Sequence, residues 1–164
     1  MIKFLKRQLG HDVHPVVQFI KYGFVGGIAT GINIVLFFAL GCTLLPCLTE
    51  DDIMVKLFGM SVEPISKATR IWNSSICNTA GFLVSNTVCY ILNRLFVFKP
   101  GRHSMKVECA LFFGVSGLSW AIGLTIQRSL IQLWDIQTTI AFAVNILCAL
   151  LINYAMRKFV IFKG

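Results

Sequence analysis

Charge is what this chain has least of. Only 13% of its 164 residues are Asp, Glu, Lys or Arg, against 56% hydrophobic, where soluble domains carry about 25% charged residues. A water-soluble fold of this length could not hide so much apolar surface, so the bilayer is the expected solvent. Acidic groups are scarcest, 7 against 15 basic ones, and none falls in the interior of a long apolar run. Cysteine is present six times but never as a CxxC pair, and no Cys/His cluster has zinc spacing, so no metal site is expected. The six are read as small hydrophobes, with a disulfide among Cys42, Cys47 and Cys77 left open. No nucleophile, base and orienter set occurs, and no phosphate-cradling loop carrying a lysine. The chain is therefore read as neither an enzyme nor a cofactor protein.

What is there is four apolar runs. Spans are predicted at about 19–41, 75–98, 109–131 and 138–162, after a basic amphipathic arm over 1–18 that suits an anionic membrane surface. Together 19–164 form one transmembrane domain. The net charge of +8 would suggest nucleic acid in a soluble protein. Here it is a topology signal, and no nucleic-acid partner is expected. Eleven of the 15 basic residues fall in the N-terminal segment, the stretch from Arg94 to Lys106 that joins spans two and three, and the C-terminus. The positive-inside rule then places both termini in the cytoplasm of a multi-pass protein of the cell's inner membrane. The long link, about 42–74, is acidic at Glu50, Asp51 and Asp52, then amphipathic through Ile53, Met54, Leu57 and Phe58, which predicts a short helix on the outer surface.

Spans two and four end alike. A shift of 64 residues superposes Tyr90 on Tyr154, Arg94 on Lys158, Phe98 on Phe162 and Lys99 on Lys163. A shift of 90 superposes Gly27 of span one on Gly117 of span three less closely. The predicted fold is thus an all-α membrane protein, four transmembrane helices built as two hairpins in a parallel internal repeat. Any helix ending at the cytoplasmic face gathers aromatic and basic residues. That explains the Phe and Lys matches better than the repeated Tyr and cation.

Arg94 and Lys158 each precede about four apolar residues, which buries them roughly 6 Å below the interface at 1.5 Å per residue. Ionisable groups at such depth are functional candidates. With Tyr90, Asn93, Tyr154 and Arg157 within a turn of them, they form the candidate lipid-phosphate site, cations for charge and phenols for oxygens. Snorkelling to the head groups is the competing reading. Asn33, Asn86, Asn145 and Asn153 either line a polar pathway or hydrogen-bond between helices. Gly23, Gly27 and Gly31, four apart, mark a helix-packing stripe, within the monomer or across a dimer. Four spans enclose little volume, which is compatible with a homo-oligomer.

These residues together resemble the GtrA-like family of small four-span membrane proteins. The likeness rests on Gly26-Gly27-x-x-Thr30-x-x-Asn33, on Tyr90-x-x-Asn93-Arg94-x-Phe96-Val97-Phe98, and on Asn153-Tyr154 with Lys158-x-x-x-Phe162. It implies translocation of a polyprenyl-phosphate-linked sugar across the cytoplasmic membrane for cell-surface polysaccharide or envelope glycosylation. The implied partners are that sugar lipid, a membrane glycosyltransferase and membrane lipids. Cys89 stands where an Asn like Asn153 is usual, Arg157 where Asn93 has its counterpart, and Asn33 where Asp is common. The alternative is a non-transporting subunit or anchor of a glycosyltransferase. A small multidrug-type transporter fits less well, because that family needs an intramembrane Glu in its first helix.

Overall fold

A computed structural model of the chain describes residues 15–97 and 104–156. All regular structure among them is helical. Helix α1 is Pro15–Thr43, α2 is Ile53–Phe58, α3 is Lys67–Leu92 running on into a π-helical turn at Asn93–Val97, α4 is Met105–Trp134 and α5 is Thr138–Met156. Pro15 opens α1, where its missing N–H costs nothing, so residues 15–18 belong to the helix rather than to the arm; residues 1–14 lie outside the described ones. Ser66 caps α3, its hydroxyl accepting from the Thr69 N–H at 3.1 Å. α3 starts eight residues before the end of the expected link, and α1 closes at Thr43. α1 from Val17, α3 with its π turn, and α4 are each long and apolar enough to cross a membrane. Over the described residues α5 is apolar for a shorter stretch, Thr138–Asn153.

Two antiparallel pairs make the bundle. α1 packs along α3 and α4 along α5, while α3 also packs on α4. Each pair has a tight contact of a glycine against an asparagine. A methyl on Gly81 of α3 would overlap the Asn33 side chain and lie 3.2 Å from the Asn33 backbone carbonyl oxygen. A methyl on Gly123 of α4 would overlap the Asn145 side chain and lie 3.4 Å from that residue's carbonyl oxygen. Small residues let helix backbones come this close. Outward-facing Phe24, Val35, Leu111 and Leu147 are exposed, as lipid-facing positions must be.

The link between α1 and α3 does not merely rest on the bundle. Cys47, Leu48 and Val55 are buried among Phe37, Cys77 and Phe142, and the Phe37 and Phe142 rings stack at 3.8 Å between centroids. Asp52 holds the link in place. Fully buried, its carboxylate accepts from the Met54 N–H at 3.1 Å, capping α2, and from the N–H of Thr139 at 3.0 Å and that residue's hydroxyl, capping α5. The Thr138 hydroxyl donates to the Cys47 carbonyl at 2.6 Å, and the Gln137 amide to the Asp51 carbonyl at 2.8 Å. Asn73 donates to the Pro46 carbonyl at 2.7 Å. These bonds make the acidic end of the bundle a closed one.

Candidate functional site

Below that closure lies a cavity of about 310 Å³ between α1, α3, α4 and α5. Its wall is uncharged and largely apolar, with polar groups set into it. Asn33, Asn78, Asn86, Asn145 and Asn153 contribute amides, Thr30, Ser85, Ser116 and Ser119 hydroxyls, and Trp120 an indole. No Asp, Glu, Lys or Arg lines it among the described residues. At the closed end Gln127, fully buried, accepts from Asn78 at 2.5 Å and Asn145 at 3.0 Å, joining α3, α4 and α5. Towards the opposite, basic end the Ser119 hydroxyl lies 3.4 Å from the Asn153 amide oxygen. Three buried polar atoms in this wall have no partner within the protein: Asn33 Oδ1, Asn86 Nδ2 and Trp120 Nε1. Leaving such a group unpaired costs about 1–3 kcal/mol each, and these three are packed behind the cavity surface rather than open to it.

The structure divides the expected polar residues. Asn33, Asn86, Asn145 and Asn153 meet on the one cavity. Arg94 does not line it. Its guanidinium donates to the Glu108 carboxylate and to the Tyr90 hydroxyl, both at 3.3 Å, on the α3–α4 side of the bundle. Tyr90 packs there against Phe112 and Phe113. Asn93 is buried in the π turn and donates to the Cys89 carbonyl at 2.9 Å, within its own helix. Among the described residues, Arg94 and Tyr90 thus stand apart from this cavity. Arg157, Lys158 and the side chain of Tyr154 lie outside them. The π turn is tied down from α1: Gln18 donates to the Val97 carbonyl at 3.1 Å and Lys21 to the Phe96 carbonyl at 3.3 Å. Such turns leave carbonyls that a cation can satisfy.

The glycine stripe also falls differently. An added methyl on Gly23, Gly27 or Gly31 would meet nothing within 4 Å, so the stripe is not where helices of one chain cross. Gly81 and Gly123 hold that position, each with a single small residue four away, Ser85 and Ser119, and Gln127 holds the polar centre.

Charge at the closed end is paired. Arg70, 7% exposed, bonds to the Asp135 carboxylate, with Lys67 3.5 Å away. The Arg70 guanidinium first, and Lys67 with it, hold the Asp135 carboxyl below the usual carboxylate range. Trp72 and Trp134 are exposed at the same end, and the Arg128 guanidinium sits 5.3 Å from the Trp72 ring centre. The hydrogen bond with the Cys77 thiol, and after it burial, push the Cys47 thiol well above the usual range.

A family model described as GtrA/DPMS, transmembrane domain, matches residues 21–162. Two curated proteins are similar. The cell wall teichoic acid glycosylation protein GtcA of Listeria monocytogenes is 30% identical over 95 residues, covering 56% of this chain and 66% of that protein. The uncharacterized membrane protein YwcD of Bacillus subtilis (strain 168) is 30% identical over 87 residues, covering 51% of this chain and 68% of that protein. The matched stretches thus span about two thirds of each relative's length. No solved structure matches.

Proposed function

Because this chain belongs to the GtrA/DPMS family of transmembrane domains, we propose that it carries a polyprenyl-phosphate-linked sugar across the cytoplasmic membrane for cell-wall or polysaccharide glycosylation. The observation that carries the reading is the cavity. A hydroxyl-rich glycosyl head needs hydrogen-bonding partners in a region where lipid offers none. Amides and hydroxyls set into an otherwise apolar, uncharged wall supply them. The glycosylation role in the name of the Listeria relative agrees with this. The basic end, with Lys21, Arg94 and Lys106, faces the cytoplasm in this reading by the positive-inside rule, so the cavity is closed on the outer side. A partner glycosyltransferase would load the lipid from within.

The hairpin repeat belongs to the same proposal, supported by contacts at matching positions. The 90-residue offset carries Asn33 to Gly123, and the 64-residue offset carries Gly81 to Asn145. The two tight crossings are therefore equivalent, with Asn and Gly exchanged. The same offsets carry the stacked pair Phe37 and Phe142 onto the hydrogen-bonded pair Gln127 and Asn78.

Purified protein in proteoliposomes, given a fluorescent short-chain polyprenyl-phosphate hexose, tests the function. Wild type should expose inner-leaflet lipid to a membrane-impermeant quencher faster than empty vesicles do. No acceleration would leave the second reading, a membrane subunit that holds a glycosyltransferase. The exposed Gly23–Gly27–Gly31 face of α1, which has no close neighbour within the chain, favours that one.

A further inference from the structure

The four helices do not close into a ring. α1 and α3, α3 and α4, and α4 and α5 are packed pairs, whereas α1 and α5 have little direct contact. They meet at the acidic end, through Phe37 and Phe38 on Phe142, and part towards the basic end. Phe19 on α1 and Leu150 on α5 both line the cavity and are also exposed on the outside of the bundle, at 72% and 53%. A wall residue that faces outward marks an opening. The cavity thus communicates sideways with the surface that lipid covers.

The opposite seam shows what a closed one looks like. Between α3 and α4 the rings of Phe82 and Trp120 stack at 5.6 Å. Offsets of 64 and 90 residues place Ile146 and Thr30 at the corresponding positions of α5 and α1. An isoleucine and a threonine stand where the other seam has two stacked rings. Beside them on α1 are Gly23 and Gly26, which also line the cavity and keep that wall thin.

The geometry points to a lateral portal between α1 and α5, through which a membrane lipid inserts an uncharged glycosyl head into the cavity while its isoprenoid tail stays in the bilayer. This rests on the proposed function and names its route and its head-group class. An uncharged wall among the described residues favours a neutral hexosyl head over a uronic acid or an amino sugar, because an unpaired charge would be buried there without a counter-ion. The Thr30 and Ser116 hydroxyls and the Asn153 amide, which line the cavity, supply partners for sugar hydroxyls. The phosphate and its charge remain outside the cavity, towards the basic end.

The portal is testable because its lips tolerate bulk. A methyl on Gly26 meets nothing within 4 Å, and neither does one on Gly27, the next residue, which does not line the cavity. The full chain in lipid nanodiscs would be titrated with a polyprenyl-phosphate hexose and with the same polyprenyl phosphate lacking the sugar, binding being read by native mass spectrometry. Wild type should prefer the hexosyl lipid by about tenfold or more. Gly26→Phe should weaken that binding by about tenfold, and Gly27→Phe by less than about twofold. Thr30→Trp with Ile146→Phe, which copies the closed seam, should act as Gly26→Phe does, and decides the matter if Gly26→Phe fails to fold. Hexosyl-lipid binding that survives both would overturn the portal and leave the proposed function standing. Equal binding of the two lipids to wild type would overturn the glycosyl head site. Failure of wild type to bind either would overturn the proposed function as well.

Discussion

Arg94 and Glu108 face each other at 3.3 Å across α3 and α4, with side chains 33% and 25% exposed. The cation that stands out in the sequence thus has its own counter-ion, from a residue that the spans place at the edge of the membrane. For Arg94 to take a lipid phosphate, the phosphate must exchange with that carboxylate.

Exchange has a signature. If Arg94 receives the phosphate of the proposed substrate, Glu108→Gln frees the guanidinium and tightens binding of polyprenyl phosphate, by roughly three- to tenfold for a partly exposed pair. Arg94→Gln should weaken it. Binding unchanged in both, with lowered thermal stability in both, would make the pair a tie between α3 and α4 and nothing more.

Helix crossings should be sensitive where the glycine stripe is not. Gly81→Ala and Gly123→Ala each force a methyl into an asparagine and its backbone carbonyl, at a cost of about 1–3 kcal/mol. Gly27→Ala should stay within about 0.5 kcal/mol in the monomer. Thermal unfolding of the purified variants in detergent would show the difference. Equal stability of Gly27→Ala and Gly81→Ala would mean the crossings lie elsewhere.

Asp52 ties the closed end, so its loss should be felt in two helices. Asp52→Ala removes the caps of α2 and α5 together, each of which contributes about 1 kcal/mol. Proteolysis of the 45–62 stretch should become faster while the rest of the bundle resists. Uniform sensitivity along the chain would contradict this.

The Asp135 ion pair predicts a pH dependence of defined sign. Its carboxyl titrates lower in the folded protein than in the unfolded chain, because Arg70 and then Lys67 favour the ionised form. Its contribution is complete above the unfolded value, about pH 4, and is lost as pH falls through the folded value. Asp135→Asn should melt below wild type at pH 7, and the two curves should converge by roughly pH 2. A difference that persists there would show that packing, not charge, sets the effect.

Orientation can be checked at Lys67, at the closed end. With Cys42 replaced by Ser, Lys67→Cys should react with a membrane-impermeant maleimide added outside intact cells. Labelling from the cytoplasmic side alone would reverse the topology and place the cavity mouth outside.

The helices were legible because apolar length speaks for itself: no charge interrupts α1 after Lys21 for twenty residues and more. Four of the five asparagines on the cavity were legible for a related reason, since an amide in an apolar run has to bond to something; Asn78 was missed. The partner of Arg94 was not, because Glu108 sits a short link away in sequence and looks like an ordinary helix-end residue. Gly81 and Gly123 were hidden because each forms only a short pair, with Ser85 and Ser119, while the longer stripe on α1 drew attention to a face without a close neighbour among the described residues. The insertion of the long link was legible only as amphipathy. Which of its apolar residues go inward depends on Phe37, Cys77 and Phe142, which lie on three different helices.

The shut end has a consequence for how access could alternate. In an inverted repeat the two halves can trade conformations, and the trade itself moves the opening from one side to the other. The proposed repeat, with hairpins of the same orientation, would offer no such exchange, since swapping their conformations would return a mouth at the same end. The stretch that closes the acidic end joins α1 to α3 and has no counterpart between α4 and α5, where Asp135, Ile136 and Gln137 suffice. In the proposed orientation the outward gate would therefore be a single element rather than one of a matched pair. Its resting position is set by the hydrogen bonds of Asp52, and a vectorial cycle would draw its direction from supply of the lipid on one side and its consumption on the other.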